Sequence, residues 1–137
     1  MLLDNPSIDV LIGGTVAATI QEIRTFLDAF KGIVERSGLD TWPTKKNDQF
    51  LLDSGFTSDD VEEIVRKLEV RDYESGPHDD DKEGLRQPGE VWVFGKEYEG
   101  YDLYIKLKMT NGNAVIAECL SAHEAEFPMK LPMRARR

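Results

Sequence analysis

At 137 residues, 40% hydrophobic and 31% charged, the chain has the size and composition of one globular domain with a small core, which excludes collagen-like, low-complexity and wholly disordered classes. Its single cysteine, Cys119, excludes an intramolecular disulfide and any zinc site built from several thiolates, and suits a reducing cytoplasm. The formal net charge of −9 disfavours indiscriminate binding to nucleic acid, but the charge is uneven: residues 1–90 hold 10 basic and 20 acidic side chains, whereas residues 91–137 hold 7 and 6.

The chain opens Met1-Leu2-Leu3-Asp4-Asn5-Pro6 with no Lys or Arg before the apolar run from Val10 to Ile20, which argues against a secretory signal. That run contains Gly13 and Gly14 and is about half a membrane span, so a cytoplasmic protein with no membrane partner is expected. Gly13-Gly14-Thr15 lacks the lysine and spacing of a phosphate loop and reads as a turn before the first helix.

Ile20, Ile23, Leu27, Phe30 and Val34 recur at steps of three and four, so the spacing predicts an amphipathic helix within Ala17–Ser37, stopped at Gly38. Trp42-Pro43 forces an extended entry to a second, short helix, capped by Thr44, running through Leu52 and ended by Gly55. Thr57-Ser58-Asp59-Asp60 supplies a cap and first-turn carboxylates for a third, whose buried stripe is Val61, Ile64, Val65 and Leu68. From Asp72 to Gly89 the periodicity disappears and Gly, Pro and Asp accumulate, which predicts a mobile loop.

After Pro88 the period becomes two. Val91–Tyr98, Tyr101–Thr110 and Ala114–Ser121 read as three antiparallel strands, joined by tight turns at Glu99-Gly100 and Asn111-Gly112. The expected class is therefore α+β, N-terminal helices packed on a C-terminal three-stranded meander, in one domain over residues 1–137. Within it, residues 1–43 read as a helical N-terminal extension, 44–133 as the core unit and 134–137 as a basic tail, with the segment from Glu126 crossing the body of the domain.

Two-residue hairpin loops would set Tyr98 opposite Tyr101 and Thr110 opposite Asn113, and alternation then assigns every side chain a face. Trp92, Phe94, Leu103, Ile105, Leu107, Met109, Ile116 and Leu120 fall on the core face, along with Glu118. The opposite face carries Asp102, Tyr104, Lys106 and Lys108, flanked by Gly95 and by Ala117, Cys119 and Ser121. His123 joins it if the third strand continues. This pattern fits a solvated strand face and equally a shallow basic trough that admits a ligand. His123, followed by Glu124 and Glu126, is a residue type that exchanges protons near neutrality, and it also fits an ordinary surface histidine. His78-Asp79-Asp80-Asp81 offers hard oxygen ligands, but adjacent acids in a Gly/Pro loop rarely converge on one ion, so no metal is assigned. Cys119 reads as a packing residue with no base to activate it.

Asp72-Tyr73-Glu74-Ser75-Gly76-Pro77, Trp92-Val93-Phe94-Gly95-Lys96, Leu103-Tyr104-Ile105-Lys106-Leu107 and Ser121-Ala122-His123-Glu124-Ala125-Glu126-Phe127-Pro128-Met129-Lys130, in that order, resemble the MqsR-like toxins of type II toxin-antitoxin systems, over about Thr44–Met133. The resemblance implies a RelE-like α+β fold and an mRNA endoribonuclease that needs no cofactor and is held inactive by a cognate antitoxin. By position it matches Tyr104 and Lys106 to the strand bearing the family's catalytic tyrosine, and His123 to the strand end that carries a basic catalytic group. Glu74 stands where such toxins commonly have a lysine. The expected roles are proton movement by His123, charge neutralisation by Lys106, leaving-group orientation or protonation by Tyr104, and RNA binding by Lys96, Lys108 and Tyr73, although the register turns Lys96 toward the core face. The rival reading is a non-catalytic module of the same shape whose acidic helices dock a basic protein.

Overall fold

The computed structural model describes residues 11–12, 15–80, 89–111 and 115–135. Among them a short hairpin, β1 (Leu11–Ile12) with β2 (Thr15–Val16), precedes α1 (Ile20–Ser37). There follow β3 (Asp40–Thr41), α2 (Lys45–Ser54), α3 (Ser58–Arg66), β4 (Tyr73–Asp79), β5 (Glu90–Tyr98), β6 (Tyr101–Asn111) and β7 (Val115–Glu124). The second and third helices start where their Thr44 and Thr57 caps predict, and the first starts at Thr19, which was not anticipated as a cap. Thr19 and Glu22 form a reciprocal capping box on α1, Thr57 and Asp60 another on α3, and the Thr44 side chain accepts from Asn47 N on α2. Such caps contribute about 1 kcal/mol each.

The class is α+β, but the sheet is larger than the expected meander: five strands in the order β3-β7-β6-β5-β4, with β3 parallel to β7 and the rest antiparallel. The β5-β6-β7 meander forms its centre. β4 lies within the stretch expected to be a loop. Its pairing with β5 slips between Tyr73 and Ser75 and again before His78, and two irregularities in seven residues erase the alternation by which a strand is recognised. Residues 81–88 of the expected loop, the Gly13-Gly14 turn and the Gly112 end of the second hairpin lie outside the described residues.

The three helices pack on one face of this sheet. Phe26 of α1 stacks on Trp92 at 4.6 Å between ring centroids, and Phe30, Ile64, Val65 and Leu68 complete a core with Phe94, Leu103, Ile105 and Leu107. α1 is thus an integral part of that core. Phe50, Phe56, Tyr98 and Tyr101 form edge-to-face pairs at one end. No helix among the described residues is long and apolar enough to cross a membrane.

Two departures from the expected register settle what faces outward. The second hairpin pairs Asn111 with Val115, and a register shift then falls between Lys106↔Ser121 and Leu107↔Cys119. The longer loop reverses the faces expected for the first half of β7, so Ala117 and Cys119 turn into the core while Glu118 turns outward opposite Lys108. Ile116, expected inside, is exposed. The bulge at Leu120-Ser121 reverses the faces again, and Ser121 and His123 emerge on the outer face beside Lys106 and Tyr104 as alternation predicted.

Candidate active site

The bulge has an identifiable cause. Asn47, buried in α2, places its amide against it: Ala122 N donates to Asn47 Oδ1 at 2.9 Å, and Asn47 Nδ2 donates to the carbonyls of Leu120, at 3.2 Å, and Trp42, at 2.8 Å. The side chain thereby satisfies backbone groups on β7 that a bulge takes out of the ladder. It also ties the N-terminal end of α2 to the strand that bears His123.

An open groove of about 910 Å³ lies over the outer face at this point. Its floor is Tyr104 and Lys106 of β6 with Ser121 and His123 of β7. One wall is Thr44, Lys45 and Lys46 at the start of α2, and the other is the segment from Ala125 to Lys130, with Glu74 reaching in from β4. Tyr104 and His123 are cross-strand partners with their rings stacked, centroids 5.4 Å apart and planes at 25°. Lys46 Nζ meets Glu126 Oε2 at 2.7 Å, joining the two walls, and this hydrogen-bonded ammonium holds the Glu126 carboxyl below the usual carboxylate range.

The hydrogen-bond geometry of His123 and the burial of Tyr104 suit a division of labour. His123 Nδ1 is 3.0 Å from the carbonyl oxygen of Glu124. A carbonyl can only accept, so in the neutral ring Nδ1 carries the proton and Nε2 keeps a lone pair available as a base. Burial, aided by the Glu74 carboxylate, raises Tyr104 above the ordinary tyrosine value of 10.0, so its hydroxyl remains a proton donor throughout the neutral range.

Tyr104, Lys106 and His123 are therefore brought together. The three residues expected to bind RNA are not. Tyr73 is fully buried, its hydroxyl donating to the Gly76 carbonyl at 2.5 Å and accepting from Ala18 N at 3.0 Å. Its ring packs edge-on against Trp92 and Phe94, because β4 brings it onto the core face. Lys108 points to the outer face but is only 1% exposed: its ammonium pairs with Asp80 at 2.8 Å and its methylenes lie under Gly89. The segments flanking residues 81–88 cover it. Lys96 turns toward the core side, as the register indicated, and reaches Asp72 at 3.5 Å.

Gly95, expected to keep the trough open, is instead where the C-terminal segment crosses: a Cβ there would come within 2.8 Å of the Met129 sulfur. That segment is the extended crossing expected from Glu126 onward, and it forms a wall of the groove. Lys45, Lys46 and Lys130 were not anticipated as lining residues; the Thr44 cap followed by two lysines was the available signal for the first two. Cys119 is buried, and desolvation pushes its thiol up to about 12, so it is an inert packing residue as expected. His78 Nε2 lies 2.8 Å from Ser75 Oγ, away from the groove floor.

Comparison of the chain with protein-family models, curated proteins and solved structures finds no significant match in any of the three.

Proposed function

We propose that the chain is the toxin of a type II toxin-antitoxin pair, a metal-independent endoribonuclease of RelE-like fold that cleaves mRNA in the cytoplasm and is restrained by a cognate antitoxin. The observation that carries this reading is the convergence of a base, an acid and a cation, His123, Tyr104 and Lys106, on the floor of one groove rimmed by Lys45, Lys46 and Lys130. These cations concentrate on one face of a chain that is otherwise strongly acidic.

In the proposed reaction His123 Nε2 takes the proton of an RNA 2′-hydroxyl as its oxygen bonds to the adjacent phosphorus. The bond from phosphorus to the 5′-oxygen breaks, and the Tyr104 hydroxyl donates a proton to that oxygen. Lys106 offsets the negative charge that gathers on the phosphoryl oxygens. The products are a 2′,3′-cyclic phosphate and a 5′-hydroxyl, and the imidazolium and phenolate left behind return to neutrality by proton exchange with water.

Induction of the wild-type chain alone in a bacterial host, beside His123→Ala and Lys106→Ala, tests the reading. Growth arrest with new RNA 5′-hydroxyl ends, absent in both variants, together with cleavage by purified protein in excess chelator, is the expected result. Unimpaired growth with soluble protein, or cleavage at the parent rate by protein carrying His123→Ala and Lys106→Ala together, would overturn it, the first in favour of a binding module that uses the acidic helices.

A further inference from the structure

We propose that Phe127 is a stacking platform for one base of the single-stranded RNA that occupies the groove. The inference rests on the ribonuclease reading and adds a substrate-binding residue to it. Phe127 is 77% exposed, and among the described residues it is the only aromatic side chain in the group of exposed large hydrophobics. It does not stand on a fraying end. Ala125 N donates to the Asp102 carbonyl at 2.8 Å, Met129 and Leu131 lie against Gly95, and Arg134 reaches Asp72 Oδ1 at 2.7 Å and the Arg71 carbonyl at 3.2 Å. Pro128 follows directly and restricts Phe127 to extended backbone. The ring is thus presented to solvent by a segment anchored on both sides.

Its surroundings select the ligand. The segment bearing Phe127 is a ridge with the large groove on one side and a smaller depression of about 380 Å³ on the other, and Phe127 lines both. The groove side offers Lys45, Lys46, Lys106 and Lys130 against Glu74 and Glu126, whereas on the far side Glu97 and Asp102 stand beside Lys96 and Arg134, both of which are turned to Asp72. A strand whose phosphates follow the lysines therefore keeps its backbone in the groove and lays a base across the ridge on the ring. An exposed aromatic beside a cationic track is the arrangement that binds single strands without regard to sequence.

The test is fluorescence anisotropy with a short single-stranded RNA carrying 2′-O-methyl groups throughout, which can bind but lacks the attacking hydroxyl. Phe127→Ala is expected to weaken binding about tenfold, with the salt dependence and the melting temperature unchanged, and Phe127→Leu to weaken it comparably. Phe127→Trp is expected to preserve binding, with its indole emission quenched by the oligonucleotide. Wild-type affinity in Phe127→Ala, while Lys106→Ala is weakened, would overturn this inference and leave the ribonuclease reading intact. The same affinity combined with impaired capture of an inhibitory protein would reassign Phe127 to protein docking. Absence of RNA binding by the wild-type chain would remove the reading on which the inference rests.

Discussion

Tyr104 is subject to two influences, its own partial burial and the nearby Glu74 carboxylate, and both keep its proton in place. Replacing Tyr104 by Phe should lower the cleavage rate at saturating RNA by about 10²-fold while changing RNA affinity little, as expected for loss of a general acid, and single-turnover kinetics with parallel binding isotherms check this. Glu74→Gln removes the second cause of the upward shift, so the phenolate of Tyr104 should form at lower pH in an absorbance titration, and RNA should bind more tightly because a repelling charge has gone from the groove. Lys106 and Lys108, two residues apart in sequence, should separate cleanly. Lys106→Ala should reduce the slope of log affinity against log salt by about one. Lys108→Met should leave that slope unaltered, because its ammonium is engaged with Asp80 beneath Gly89.

At the scale of elements, the helices and the first hairpin were readable because their determinants are local. The apolar spacing from Ile20 to Val34 marks the first helix, Thr44 and Thr57 cap the residues that immediately follow them, and Glu99 and Gly100 both adopt the positive φ that a two-residue turn demands. Tyr104 and Lys106 were readable too, from alternation along β6, whereas His123 reached the expected face because the loop and the bulge in β7 each reverse the faces and the two reversals cancel. What alternation could not show was cover. Tyr73 and Lys108 carry suitable groups, but their burial is decided by segments distant in sequence, and β4 and the bulge in β7 interrupt the period itself. The bulge depends on Asn47, some 70 residues away. Asn47→Ala strips partners from Ala122 N and Leu120 O and should cost about 2 to 3 kcal/mol in urea unfolding. Asn47→Asp keeps the acceptor but sets a buried carboxylate oxygen against the Leu120 and Trp42 carbonyls, and should cost at least as much. In both, the faster amide exchange of Ala122 and the disturbed ring signals of His123 would show that α2 sets the geometry of the groove floor.

Across the whole molecule, buried acidic protons make stability sensitive to alkali. Burial raises the Cys119 thiol from 9.0 to about 12 and raises the Tyr73 hydroxyl above 10.0. The unfolded chain therefore releases these protons first as pH rises, so their contribution is full below about pH 9 and is lost progressively as pH climbs through the folded-state values. Urea midpoints should accordingly be insensitive to these groups up to about pH 9 and fall beyond it, with a shallower decline in Cys119→Ala. The electrostatic arrangement is equally global: the helices carrying much of the negative charge cover one face of the sheet and the lysine-rimmed groove opens on the other. With a net charge of −9 the molecule as a whole repels a polyanion at long range, most strongly at low ionic strength, and the lysine rim offsets this only close to the groove.

The wall that bears Phe127 follows β7 in the chain, and its anchor at Asp72 is completed only by Arg134. At its other end Ala125 N holds it to the Asp102 carbonyl, and between these ties it has no strand of its own. A wall tied at its ends but not laddered to the sheet can shift between the ties without disturbing the Tyr104–His123 pair beneath it. The width of the groove and the placement of its chemistry are thus set by different parts of the chain.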